Sequence, residues 1–443
     1  MSLDRFAEDF IWGVATAAYQ IEGAVGEDGR GESIWDRFAA TPGKVHLGHT
    51  GEVACDHYHR WPEDIRLLQW LGVDAYRFSI AWPRVMPAGV GPVNHAGLDF
   101  YDRLTDSLLE AGITPFPTLY HWDLPQSLED EGGWLDRNTA HAFAEYTSAV
   151  VDRLGDRIES WMTLNEPWVS SMLGYATGDH APGRSGDRNG AAASHHLLLA
   201  HGLSVEVLRS AGARVGIVLN QEHKIPASSH PLDVAEADLA DQRMNLWFLD
   251  PLCGLGYPEG AVIDRGWDMT EVHPGDLDLI AAPLDQIGLN YYTSEIIADE
   301  TVSRAERADP VPAPHEFTDM AWPVDPGGIV PLLTRLRDRG FHQIYITENG
   351  AAYPDHADAE GFVDDQDRIS FLRRHFDAVA GAIDQGVGVR GYFVWSLMDN
   401  FEWAHGYDKR FGLVRVDYES RERTPKASAH WFREGISKAS PPG

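Results

Sequence analysis

The apolar positions of this 443-residue chain fall into two alternating patterns. Short runs that are almost wholly apolar, and that end at Gly, Pro or an acid, predict strands buried on both faces. They fall at 10–15, 75–80, 114–121, 160–165, 214–220, 286–292, 344–347 and 391–396. Between them apolar residues recur every three or four positions, which predicts amphipathic helices at 61–71, 97–111, 139–154, 191–210, 329–339 and 367–385. Several helix-to-strand joints carry the glycine that ends a helix, as in Leu71-Gly72-Val73, Ala111-Gly112-Ile113, Ala211-Gly212-Ala213 and Arg339-Gly340-Phe341. Eight strands alternating with helices predict an α/β fold, a single (β/α)8 TIM barrel occupying residues 1–443 as one domain. No Ser/Pro-rich linker divides the chain. The one irregular stretch, 298–328, is rich in Pro and acids and follows the sixth strand, where long βα loops shape the mouth of a barrel site.

Two of the predicted strands deliver a carboxylate at their end. Trp161-Met162-Thr163-Leu164-Asn165-Glu166-Pro167 and Ile344-Tyr345-Ile346-Thr347-Glu348-Asn349-Gly350 each stop just after a Glu. Facing carboxylates are the equipment of glycosidic bond hydrolysis, one donating a proton while the other attacks or activates water. The other strand ends add Gln20 and Glu22 after strand one, Arg77 within strand two, His121-Trp122-Asp123 after strand three and Asn290-Tyr291-Tyr292 at strand six. Trp395 ends strand eight, with Glu402-Trp403 in the loop beyond, and only strand five delivers little. Neutral amides, a His, a Tyr and several Trp around acids suit a neutral ligand rich in hydroxyls.

Composition narrows the partners. Asp and Glu number 68 against 36 Lys and Arg, and a net charge of -32 argues against nucleic acid and anionic membranes. The start of the chain lacks the basic-then-apolar pattern of a secretion signal, and no apolar run approaches a membrane span. With only Cys55 and Cys253 there is no disulfide framework or zinc cluster, so a reduced, cytoplasmic setting is expected. His57-x-His59 and His195-His196 sit in or beside predicted helices, away from strand ends, and no metal or cofactor is expected. A homo-oligomer is compatible with the sequence, which does not specify one.

Phe10-Ile11-Trp12-Gly13-Val14-Ala15-Thr16-Ala17-Ala18-Tyr19-Gln20-Ile21-Glu22-Gly23, Thr163-Leu164-Asn165-Glu166-Pro167 and Ile346-Thr347-Glu348-Asn349-Gly350 stand in that order, with Tyr120-His121-Trp122 between the first and second and Asn290-Tyr291-Tyr292 between the second and third. In these motifs, over nearly its whole length, the chain resembles glycoside hydrolase family 1, the β-glucosidase and β-galactosidase group. The resemblance implies a retaining exo-β-glycosidase, foremost a β-glucosidase acting on terminal unphosphorylated glucosyl residues of cellobiose and aryl glucosides. Tolerance of β-galactosides or β-fucosides is the alternative within the family. A sugar-binding relative without catalysis would keep the fold but lose an acid, and a metal-dependent hydrolase would place its histidines at strand ends.

By the same resemblance Glu166 is the general acid and base, and Glu348 the nucleophile, at a separation of roughly 5–5.5 Å in retaining enzymes. Arg77 and Tyr292 would hold Glu348 ionised, while Glu348 and burial would keep Glu166 protonated near neutral pH. Gln20, His121, Trp122, Asn165, Asn290 and Glu402 would bind sugar hydroxyls, Trp395 would lie under the ring, and Trp403 would offer its indole N–H. Trp168, Leu173, His180 and Trp322 would line the entrance for the leaving group. A carboxylate at Glu402 would accept from the 4- and 6-hydroxyls and repel a 6-phosphate.

Overall fold

In the computed structural model, which describes residues 5–439, eight parallel strands close on themselves. They are β1 (Ile11–Ala15), β2 (Ala75–Ser79), β3 (Thr114–Tyr120), β4 (Ser160–Asn165), β5 (Arg214–Asn220), β6 (Ile287–Asn290), β7 (Ile344–Asn349) and β8 (Val389–Trp395). Each pairs with its neighbours in the chain, and β1 pairs with β8 from Ile11–Gly391 to Ala15–Trp395, which closes the ring. All eight predicted strands are present, with ends that agree to within two residues. The predicted (β/α)8 barrel is therefore the observed fold.

The six predicted helices are α1 (His57–Leu71), α2 (His95–Glu110), α3 (Asn138–Leu154), α4 (Asp187–Ser210), α5 (Ile329–Asp338) and α6 (Gln366–Asp384), followed by a seventh, α7 (Ala427–Ala439). Gly72 and Gly340 follow α1 and α5 with φ of +76° and +93°, backbone that a side chain would strain. Between β5 and β6 the chain also forms the short helices Trp247–Leu252, Glu259–Asp264 and Asp276–Ile280, which are too brief to show a helical period in the sequence, and Pro231–Asp241, which buries only Asp233 and Ala237 and so shows no apolar stripe.

Two apolar layers separate the chemistry from the scaffold. The outer one lies between barrel and helices, and includes Trp161, Leu164, Ile344 and Ile346. The inner one fills the lumen with Ala75, Phe116, Met162, Tyr345 and Phe393, one residue from each of several strands. Filling the lumen makes the barrel a solid platform, so the polar residues at the carboxyl ends of the strands stand on a packed floor. The histidine pairs belong to the outer scaffold. His57 bonds Asp64, His195 bonds Tyr257 and Asp276, and His196 bonds the carbonyl of Trp134.

Candidate active site

The carboxyl ends of the strands surround a cavity of about 290 Å³, lined among others by His121, Trp122, Glu166, Asn290, Tyr292, Glu348, Trp395, Glu402 and Trp403. Glu348, at the end of β7, is buried. Its Oε1 accepts a hydrogen bond from Nη1 of Arg77 at 2.6 Å, and its Oε2 accepts from the Tyr292 hydroxyl at 2.7 Å. Arg77 rises from β2 inside the barrel and is 1% exposed, so this ion pair works in a medium that screens it weakly. Its Nη2 reaches Oδ1 of Asn165 at 2.7 Å. One guanidinium thus ties β2, β4 and β7 together under the cavity.

Glu166 follows β4 with φ of +46°, a left-handed backbone that is rare for a residue with a side chain. That turn presents its carboxyl to the cavity, where Oε1 accepts from Nδ2 of Asn290 at 2.5 Å. Trp122 and Trp403 also have positive φ, +77° and +49°, so three of the residues around the cavity sit on strained backbone.

Burial, and after it the charge of Glu348, hold the carboxyl of Glu166 well above the ordinary range. Burial raises Glu348 too, but the charge and hydrogen bond of Arg77 and the hydroxyl of Tyr292 pull it back down. The pair is therefore asymmetric: Glu166 keeps the proton and Glu348 is the anion. The Tyr292 phenol, raised by burial and by Glu348, remains a donor. His121 is held neutral by burial and by Arg77.

The opposite wall is built from β1, β3 and the loop after β8. His121 lies between Trp395 and Trp403, nearly parallel to both, with ring centroids 5.8 and 5.9 Å away. Its Nε2 faces Nδ2 of Asn165 at 3.1 Å. Gln20 donates to Oδ1 of Asn400 and to the carbonyl of Phe401, both at 2.9 Å, and its own Oε1 has no protein partner. The loop carrying Glu402 is anchored beneath by Asp399, which accepts from Arg410 at 2.6 Å, Lys426 at 2.7 Å and the backbone N–H of Gly412 at 3.0 Å. Glu402 lines the cavity, with Oε2 lacking a protein partner. Burial and the Glu348 charge push it up to about 8.

Of the residues given a role at the site, Gln20, Arg77 and Asn165 are buried beside the cavity without lining it, and of the other strand-end groups Glu22 pairs with Arg84 while Asp123 and Tyr291 also lie outside the lining. Trp168, Leu173, His180 and Trp322 also line the cavity, with Trp322 beside Tyr292 at 5.4 Å between centroids. The expectation for β5 is corrected. Asn220, Gln221 and Glu222, at and just past its end, all line the cavity, and both polar atoms of the Gln221 amide lack protein partners. The run Leu219-Asn220-Gln221-Glu222 carries no aromatic residue or Pro/Gly stop to mark it, although its place after a barrel strand could have.

A family model described as glycosyl hydrolase family 1 matches residues 2–440. The chain belongs to glycosyl hydrolase family 1. It is 47% identical to beta-glucosidase A of Acetivibrio thermocellus, over 98% of this chain and 99% of that protein. It is also 47% identical to a bifunctional beta-D-glucosidase/beta-D-fucosidase of Bifidobacterium breve, over 98% of each. Among solved structures, the beta-glucosidase from Thermotoga maritima in complex with castanospermine superposes with a TM-score of 0.93 at 44% identity, over 99% of both chains. The chain is therefore a glycoside hydrolase. No helix among the described residues is long and apolar enough to cross a membrane.

Proposed function

We propose that this family 1 glycoside hydrolase is a retaining exo-β-glucosidase, with Glu348 as nucleophile and Glu166 as acid and base. The observation that carries the reading is the asymmetry of the two buried carboxyls, one paired with Arg77 and Tyr292, the other bonded only by an amide. In the first step the Glu348 carboxylate attacks C1 of the sugar, the bond from C1 to the glycosidic oxygen breaks, and Glu166 gives its proton to that oxygen. Esterified Glu348 carries no charge, so the carboxyl of Glu166 becomes more acidic and accepts a proton from water. That water attacks C1 and frees Glu348.

Glucose recognition is assigned to Gln20, His121, Trp122, Asn165, Asn290, Glu402 and Trp403, with Trp395 as the ring platform. Gln20 Oε1 and Glu402 Oε2 are buried acceptors that a hydroxyl would satisfy, and burial without such a partner is costly. The similarity to a bifunctional glucosidase/fucosidase supports tolerance at the 4- and 6-positions, where fucose differs. Cellobiose and short cello-oligosaccharides fit the exo reading, which would place the enzyme at the end of cellulose breakdown. Residues 1–443 would act as one catalytic domain. The free thiols of Cys55 and Cys253 are consistent with a cytoplasmic setting.

With Glu402 raised to about 8, charge repulsion at that residue is weak at neutral pH in the empty site. Instead, no Lys or Arg is among the described residues that line the cavity, so a 6-phosphate would be buried without a counter-ion. Turnover of 6-phosphoglucosides at a rate comparable to glucosides would overturn this. Glu402→Gln is expected to lower kcat/KM for aryl glucosides about 10- to 100-fold, the scale of leaving a buried polar group without its partner. Smaller losses on substrates lacking the 6-hydroxyl would locate the contact.

The deciding experiment uses a 2-deoxy-2-fluoro-β-glucoside with an activated leaving group, then mass spectrometry of the digested protein. An ester on Glu348, in the peptide spanning 346–350, is expected. Hydrolysis of plain glucosides with no trapped ester would refute the two-step mechanism.

A further inference from the structure

Among the described residues Asn290 makes the single protein hydrogen bond to the Glu166 carboxyl, yet nothing in an amide group decides which end faces it. Its neighbours do. Asn290 Nδ2 donates to Oε1 of Glu166 at 2.5 Å and to Oδ1 of Asn165 at 3.1 Å, which uses both of its hydrogens. Asn165 Oδ1 is fixed as an acceptor because Arg77, which can only donate, already bonds it at 2.7 Å. On the far side, the Thr347 hydroxyl donates to Oδ1 of Asn290 at 2.7 Å. Turned by half a rotation, the amide would set its oxygen against two acceptors.

Thr347 is fully buried in β7, directly before Glu348. Its side chain crosses to β6, where Gly288 leaves room for it. A Cβ on Gly288 would stand 2.7 Å from both Oγ1 and Cγ2 of Thr347. Strand pairing sets Asn290 opposite Glu348, so the threonine beside the nucleophile is brought under the amide.

We propose that Thr347 is a positioning residue: its hydroxyl holds the Asn290 amide in the orientation that donates to Oε1 of Glu166, which leaves the proton of Glu166 on Oε2, facing the leaving group. The inference rests on Glu166 being the acid and base. It links the two carboxylate strands, since the residue next to one acid sets the proton position on the other. Donation from Asn290 favours the ionised form of Glu166. Losing the Thr347 hydroxyl removes one of the two anchors of the amide, leaving only Asn165 Oδ1, and so weakens that donation and raises the pKa of Glu166.

Thr347→Val, Thr347→Ala, Thr347→Ser and Glu166→Gln test this in the full-length enzyme, each first checked for an unchanged thermal melting profile. In Thr347→Val and Thr347→Ala the alkaline limb of kcat/KM should move up by about half to one pH unit, the scale of one weakened hydrogen bond to a charged group. Hydrolysis of alkyl glucosides should fall about tenfold, with 2,4-dinitrophenyl glucoside much less affected, since only poor leaving groups need a well-placed proton. Thr347→Ser should restore both. An unmoved limb in either hydroxyl-free variant, while Glu166→Gln abolishes the limb, would overturn the role of Thr347 and leave that of Glu166 standing. A Glu166→Gln enzyme that keeps the limb and the wild-type dependence on leaving group would overturn the underlying assignment instead.

Discussion

Replacing Glu348 by Gln should lower kcat on 2,4-dinitrophenyl β-glucoside by roughly 10⁴- to 10⁶-fold, the scale on which hydrolases lose activity with their nucleophile. The side chain keeps its size, so the packing of β7 is preserved. What vanishes is the anion that attacks C1, together with the charge that pairs with buried Arg77 at 2.6 Å. An unpaired buried guanidinium is itself destabilising, so the thermal midpoint should drop as well, which a melting curve would show. With Glu348→Ala, added azide can enter the vacated space and attack the same face of the sugar. An α-glucosyl azide, identified by its NMR coupling constant, is the expected product. A loss smaller than tenfold, or a β-azide, would remove Glu348 from the role of nucleophile.

The second large effect depends on the leaving group. In Glu166→Gln the amide cannot supply a proton, and general acid catalysis is worth about 10²- to 10⁴-fold. Cellobiose, whose departing alkoxide needs that proton, should lose activity across the upper part of this range. For 2,4-dinitrophenyl glucoside the first step should be almost unaffected, and the slow second step should let the glycosyl-enzyme accumulate as a burst. The pH profile fixes the sign. Wild-type kcat/KM falls as pH rises through the raised pKa of Glu166, because the acid form is lost. It falls on the acid side as the remaining carboxylate of the pair takes up a proton. Both limbs belong to the pair. Glu166→Gln should erase the alkaline limb and keep the acid one. Persistence of the alkaline limb would point to another acid.

Much of this was readable in the chain because barrel strands are buried on both faces and so appear as unbroken apolar runs. Trp161-Met162-Thr163-Leu164 and Ile344-Tyr345-Ile346 each announce a strand and point to the acid that follows. What the sequence hid depends on contacts between distant residues. Asn220, Gln221 and Glu222 become cavity residues only once β5 is set between β4 and β6. The short strand His223–Pro226 was invisible because its partner, Ser294–Ile297, lies in another loop. The ionisation of Glu402 could not be read from its neighbours Phe401 and Trp403, since burial and Glu348 set it. The burial of Gln20, Arg77 and Asn165 behind the wall, likewise, belongs to the assembled barrel.

The seam between β1 and β8 governs when such a protein becomes competent during synthesis. Seven strands can emerge from the ribosome, Glu166 and Glu348 among them, while β1 and β7 still lack their last neighbour. Until β8 arrives, both present unpaired edges, open to association with other chains. Gln20 waits longer still, for Asn400, 380 positions later. Trp395 arrives with β8 itself, while Glu402 and the Asp399 anchor to Lys426 follow it. Nascent chains would therefore carry the two carboxylates well before they carry a pocket for the sugar, and the synthesis of the stretch from β8 to Lys426 would be the interval in which a chaperone has most to shield.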